Sequence, residues 1–175
     1  VSDFLNVSRL QTGKFVLDKT TGNLGIIVAK ESEILSASAE SRGLKLELEI
    51  PDNIPDSYAD FDKLRQVIMN MVDNAIYYSK PNTKITVSVA KIGNKLEFGV
   101  DDNGIGVPKA EQAGLFGKFY RAANARQQRP DGTGVGLYLA KKVVLSHKGN
   151  VIYKSKASGG SVFGFWIPIV GSPDK

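Results

Sequence analysis

The chain has no cysteine and a single histidine, His147, in 175 residues. The first absence excludes disulfides, cysteine-ligated zinc and a thiol nucleophile; the second excludes a multi-histidine metal centre. There is no apolar run of the roughly eighteen residues a membrane span needs, and no charged, apolar, small-residue leader at the N-terminus. The expectation is a soluble chain without an export signal. Acid is scarce toward the end: after Asp131 only Asp174 stands against Lys141, Lys142, Lys148, Lys154, Lys156 and Lys175, and the net charge is +5. A basic C-terminal third suits an anionic ligand, an acidic partner, nucleic acid or an ordinary lysine-rich surface. No aromatic residues interleave with arginines, so nucleic acid is not an expected partner. The hydrophobic content of 42% is enough for one domain with a core.

Periodicity supplies the elements. Residues 1–12 read as the tail of a helix that Gly13 ends. A helix is predicted over 24–42, with Ile27, Ala29, Ile34, Leu35 and Ala39 inward and Gly43 as its stop. Leu44, Leu46, Leu48 and Ile50 alternate with Lys45, Glu47 and Glu49, the pattern of a strand with one buried face. Over 60–78, Leu64, Val67, Ile68, Met71, Val72, Ala75 and Ile76 make one helical stripe, while Asn70, Asn74 and Tyr77 fall on another. Strands over 84–92 and 95–100 join through Gly93-Asn94, a two-residue hairpin turn. Residues 107–131 read as a mobile loop with a helical turn near Phe116, 135–148 as a well-buried helix, and 150–155 with 161–167 as a hairpin through Gly159-Gly160. His147, just before Gly149, suits a capping or packing role at that helix end.

Two glycine clusters, Asp102-Asn103-Gly104-Ile105-Gly106 and Gly132-Thr133-Gly134-Val135-Gly136, bracket the polar loop, and Asn70 and Asn74 sit one helical turn apart upstream. Glycines let backbone approach a phosphate, a helix opening inside the second cluster aims free N–H groups at an anion, and a carboxamide oxygen can ligate a hard cation. Together they describe a nucleotide site. Singly, the glycines could be loop punctuation, the asparagines a solvated helix face and Asp102 a turn residue. A dinucleotide-binding turn is disfavoured, because the second cluster follows a loop rather than a strand and no acid follows it until Asp174. A Gly-Lys-Ser/Thr phosphate loop is absent too, both Gly-Lys pairs being followed by phenylalanine.

In order and spacing these residues resemble the catalytic, ATP-binding domain of sensor histidine kinases, a branch of the superfamily that includes gyrase-type ATPases. The asparagine box resembles residues 62–75, DKLRQVIMNMVDNA, and the first glycine box residues 100–108, VDDNGIGVP. The phenylalanine box is similar to residues 115–121, LFGKFYR, and the second glycine box to residues 132–137, GTGVGL. Residues 160–168, GSVFGFWIP, are similar to the strand that closes the domain.

The resemblance implies that Asn74, helped by Asn70, ligates the Mg2+ that bridges the ATP phosphates, and that Asp102 accepts a hydrogen bond from the exocyclic amine of adenine. Gly104, Ile105, Gly106 and Val107 would pass beside the base; Gly132, Thr133, Gly134, Val135, Gly136 and Leu137 would wrap the phosphates. Arg121 and Lys118, with Tyr120 beside them, would reach the γ-phosphate from the loop, which Phe116 and Phe119 would anchor. Tyr77 stands where many members carry a phosphate-contacting lysine and is retained as an ATP-site residue, with Tyr78 lining the ribose or base pocket. Gyrase-like ATPases carry a glutamate base four residues before the metal asparagine; here Asn70 stands there, which points from hydrolysis to transfer. Asn70 and Arg121 are therefore the expected catalytic pair.

The implied fold is an α/β two-layer sandwich, a mixed, mostly antiparallel sheet with three helices on one face (the Bergerat-type ATP-binding fold) and ATP held between the helices and a lid. Residues 1–12 would end an upstream dimerisation and phosphoacceptor hairpin, 13–170 form the catalytic domain and 171–175 a tail. The implied activity is transfer of the ATP γ-phosphoryl group to a histidine on that hairpin, in a protein that is a homodimer at full length, for relay to a response regulator. A cytoplasmic domain with no direct membrane contact is expected, in a parent that an inner-membrane anchor would suit. Two alternatives stay open: a hydrolytic ATPase or serine kinase of the same superfamily, and a non-catalytic nucleotide-sensing or scaffolding module.

Overall fold

The computed structural model describes residues 16–117, 120–128 and 136–173. The chain runs β1 (Thr20–Gly22), α1 (Leu24–Ser41), β2 (Lys45–Glu49), β3 (Ser57–Ala59), α2 (Phe61–Tyr78), β4 (Lys84–Ile92) and β5 (Lys95–Asp101). A 3-10 turn (Lys109–Gly114), α3 (Ala123–Gln128), α4 (Gly136–Ser146), β6 (Asn150–Ser155) and β7 (Ser161–Pro168) follow. Five strands form one sheet in the order β2-β4-β5-β7-β6, parallel between β2 and β4 and antiparallel elsewhere. The mixed, mostly antiparallel sheet is as expected.

Alternation on the central strands decides where the core lies. Ile85, Val87 and Val89 of β4, Leu96, Phe98 and Val100 of β5, and Phe165 and Ile167 of β7 are buried on one face. The register places Val87 opposite Val100 and Phe98 opposite Phe165, whose rings meet at 5.1 Å. Helices α1, α2 and α4 cover that face. The stripe of α2 is buried in full, from Leu64 to Ile76, each large side chain contributing about 1.5–3 kcal/mol of transfer free energy. Asn23 caps α1, its Oδ1 accepting from Ile26 N–H at 3.2 Å, and Asp60 caps α2, accepting from Lys63 N–H at 3.1 Å. Gly43, with φ of 72°, closes α1 as the sequence predicts.

Four expectations change. Ile34 is 68% exposed, because the buried line of α1 runs Leu24, Val28, Glu31, Ser32 and Ala39, which leaves position 34 turned outward. Leu48, on the edge strand β2, is 45% exposed. Helix α4 buries only Ala140, Val143 and Val144, with Leu145 42% exposed. The loop after Val107 holds the 3-10 turn and α3 rather than one turn near Phe116. The pair β1–β3, three residues long in each strand, is too short for alternation to announce it. Residues 1–15 and 174–175, with the boundary placed between residues 12 and 13, lie outside the described residues.

His147 is buried at the end of α4 and ties that helix to α2. Its Nε2 accepts from Asp60 N–H at 3.0 Å, so Nδ1 carries the proton and donates to the Val143 carbonyl at 2.8 Å. The capping and packing role expected of it is the one it fills. Burial, against the Val143 carbonyl, holds its pKa below the usual histidine value. Burial works against the Asp60 carboxylate as well. Donation from Asp18 N–H and Lys63 N–H, with the Lys63 ammonium, nonetheless holds its pKa below the usual range.

As pH falls below about 6.5 the unfolded chain binds a proton at His147 that the folded chain does not. Stability is therefore complete above that pH and declines as pH drops through the depressed folded value. Thermal unfolding should show a midpoint falling between about pH 7 and 5.5, with the slope reduced in His147→Gln. His147→Ala should cost about 2–3 kcal/mol, since it leaves the Asp60 N–H without its acceptor.

Candidate nucleotide site

Between α2, the segment after β5 and the start of α4 lies a cavity of about 310 Å³. Its walls include Asn70, Asn74, Tyr78, Asp102, Ile105 and Gly106, and further Val107, Tyr120, Arg121, Gly136 and Leu137. Residues from all four predicted motifs thus meet around one space. Asn70 and Asn74 face it because they lie one turn apart on α2, off the buried stripe; Asn74 Nδ2 donates to Asn70 Oδ1 at 3.4 Å.

Gly136 opens α4 against this pair. A Cβ there would run into the Asn70 carboxamide, so the glycine lets the start of α4 approach the asparagines. Lys118, Gly132, Thr133, Gly134 and Val135 lie outside the described residues.

Asp102 is 4% exposed. Its Oδ1 accepts from Gly104 N–H at 2.9 Å and Ser161 N–H at 3.1 Å, and its own N–H donates to the Ser161 carbonyl at 2.9 Å. These bonds engage one carboxylate oxygen, leaving Oδ2 for a ligand. Burial pushes the Asp102 pKa up; the Gly104 and Ser161 amides and the Lys156 ammonium oppose the rise, and neighbouring Asp101 adds to it. Gly104 pairs with Ser79 across an isolated bridge, and a Cβ on it would sit 2.6 Å from the Tyr78 carbonyl. Gly106 turns with φ of 68°, a conformation that favours glycine.

Arg121 donates to the Ala125 carbonyl at 3.1 Å and to the Tyr78 hydroxyl at 3.4 Å. Tyr77 stands one layer behind the wall. Its ring lies 5.2 Å from that of Tyr78, edge to face, and under the Arg42 guanidinium at 4.9 Å. Phe116 packs edge-on against Phe163 at 6.4 Å.

Sequence reasoning missed Asn124, whose Nδ2 donates to the Gly106 carbonyl at 3.0 Å, and also Asp73, Ser161 and Phe163 in the cavity wall. Asp73 was within reach, being adjacent to Asn74 in the asparagine motif. Asn124 and Ser161 act through backbone groups far away in the chain, which no local pattern reports.

Comparison with known proteins bears on this geometry. The family described as histidine kinase-, DNA gyrase B-, and HSP90-like ATPase matches residues 59–171, from β3 to just past β7. The chain belongs to that family. Within it the chain is homologous to sensor histidine kinases and has the architecture of their ATP-binding catalytic domain. It is 32% identical over 170 residues to the circadian input-output histidine kinase CikA of Synechococcus elongatus, covering 96% of this chain and 22% of CikA. It is 29% identical over 170 residues to the adaptive-response sensory kinase SasA of Synechocystis sp., covering 97% of this chain and 44% of SasA. The chain therefore spans less than half the length of these relatives. Full-length ShkA, solved in complex with AMPPNP, superposes with a TM-score of 0.85 at 23% identity, over 97% of this chain and 35% of ShkA. Among the described residues no helix is long and apolar enough to cross a membrane.

Asp102→Ala would strand two buried amides, those of Gly104 and Ser161, and should lower stability by about 2–4 kcal/mol. Asp102→Asn, which keeps an acceptor at Oδ1, should cost less than about 1.5 kcal/mol. Urea titration of both variants checks the difference.

Proposed function

We propose that this chain binds Mg-ATP in the cavity and transfers the γ-phosphoryl group to a histidine on a dimerisation domain of the same protein. The full-length protein, a homodimer on this reading, then passes the phosphoryl group to a response regulator. The observation that carries the reading is the convergence of the Asn70–Asn74 pair, buried Asp102 and Arg121 on one space. Asp102 accepts the adenine amine through Oδ2, while Ile105, Gly106 and Val107 flank the base. Arg121, Tyr120 and Lys118 meet the γ-phosphate, where charge develops as its bond to the β–γ bridging oxygen breaks. Gly132, Thr133, Gly134, Val135, Gly136 and Leu137 serve the phosphates, and Tyr77 braces Tyr78 against the nucleotide.

The residues suit Mg2+. Both carboxamides stand in the cavity wall, and among the described residues no group of three or more His, Cys, Asp or Glu could hold an ion unaided. That donor set matches a hard cation which takes one or two protein oxygens and completes its shell with phosphates and water. Asn74 and Asn70 would hold it, and it would neutralise the phosphate charge. The names of CikA and SasA, both kinases, and the AMPPNP in the ShkA complex support the nucleotide and the reaction class.

Hydrolysis is the second reading, favoured by one observation: Asp73, a carboxylate, lines the same cavity beside Asn74. Incubation with γ-labelled ATP, Mg2+ and the upstream hairpin separates the two. Label should appear on the hairpin histidine and fall at least about tenfold in Asn74→Ala, the size of effect expected when a metal-ligating oxygen is lost. Release of labelled phosphate without transfer, suppressed in Asp73→Asn, would establish hydrolysis instead. Calorimetry that finds no ATP or ADP binding with Mg2+ would leave a scaffolding module.

A further inference from the structure

We infer that Lys156, on the turn between β6 and β7, is a positioning residue for adenine recognition, clamping the Asp101 and Asn103 side chains and the Asp102 backbone carbonyl so that the Asp102 carboxylate is held toward the base. The inference rests on the reading of the cavity as an ATP site.

An ammonium group has three protons to give, and Lys156 places them on three successive residues. Nζ donates to Asp101 Oδ1 at 2.6 Å, to the Asp102 carbonyl at 3.0 Å and to Asn103 Oδ1 at 3.1 Å. Asn103 carries the brace onward, its Nδ2 donating to the Lys84 carbonyl at 2.9 Å at the start of β4. The ion pair to Asp101, 45% exposed, would count for little by itself. The Lys156 side chain, however, is only 21% exposed, and its bond to the Asp102 carbonyl fixes the peptide from which the recognition carboxylate projects. Gly160, with φ of 88°, brings the same turn so close to that carbonyl that a Cβ would collide with it. Ser161 then supplies the amide on Asp102 Oδ1. One turn thus holds Asp102 from both sides of its backbone.

Lys156 also opposes the effect of burial on the Asp102 carboxylate, while Asp101 works the other way. Two further lysines stand on the adjoining backbone. Lys80 donates its N–H to the Asn103 carbonyl at 3.3 Å, and Lys84 offers its carbonyl to Asn103. Loss of Lys156 removes a geometric brace and a counter-charge together.

The test compares ATP with inorganic tripolyphosphate, which has the phosphates and no base. Calorimetry on the 175-residue chain should show Lys156→Met binding ATP about ten- to hundredfold more weakly, with tripolyphosphate affinity unchanged. The acid limb of its ATP-binding profile should move to higher pH, and Lys156→Arg should recover most of the affinity. Should Lys156→Met fail to fold, Lys156→Gln makes the same comparison. An ATP affinity and pH profile equal to those of the unaltered chain would overturn the inference, as would equal losses for ATP and tripolyphosphate, which would mark a merely structural role. If the unaltered chain binds no ATP, the reading of the site is what fails, and the clamp falls with it.

Discussion

Helix α2 has to serve two surfaces at once, and the rest of the domain is arranged around that requirement. Its stripe from Leu64 to Ile76 is buried against the sheet, so the helix can neither rotate nor slide without exposing apolar surface. With the stripe fixed, the rotational position of Asn70 and Asn74 is fixed too, and the pair faces the cavity. Residues with no role in chemistry thus aim residues that have one. The same logic explains Gly136, whose missing side chain lets the next helix approach the pair.

A second constraint works through backbone groups. Asp102 is buried, which is costly for a carboxylate unless donors meet it, and the donors are the amides of Gly104 and Ser161. They come from its own loop and from the opening of β7. Recognition at this position therefore depends on how β5 and β7 pair, with Asp101 opposite Val162, as well as on the loop itself. The site joins the end of one strand, the start of another and the end of α2 through the bridge between Ser79 and Gly104.

Much of this is legible in the sequence. The α2 stripe, the β4–β5 hairpin through Gly93 and Asn94, and the final hairpin all follow from patterns spanning a few residues, because helix and strand periods are local properties. Errors came where burial depends on neighbours. Ile34 has the residue type of a core position but lies off the line that meets α2 and the sheet, and Leu48 sits on a strand that ends the sheet. The four motifs were readable as a set because their order is kept, and the family match over residues 59–171 rests on the same stretch.

The sequence alone determined the three long helices and the strands of the five-stranded sheet, the core stripe of α2, the candidate residues and their likeness to a family. The tertiary structure alone decided which of them share a space and what holds them. It set Tyr77 behind Tyr78, brought Asn124 to the Gly106 carbonyl, gave His147 the Asp60 amide, and put Lys156 on three residues more than fifty positions earlier. The division has a physical cause. Apolar periodicity records which face of an element avoids water, and that survives in a local window. A hydrogen bond to a distant backbone group leaves no mark in the residue that supplies the group, since every peptide offers the same donor and acceptor.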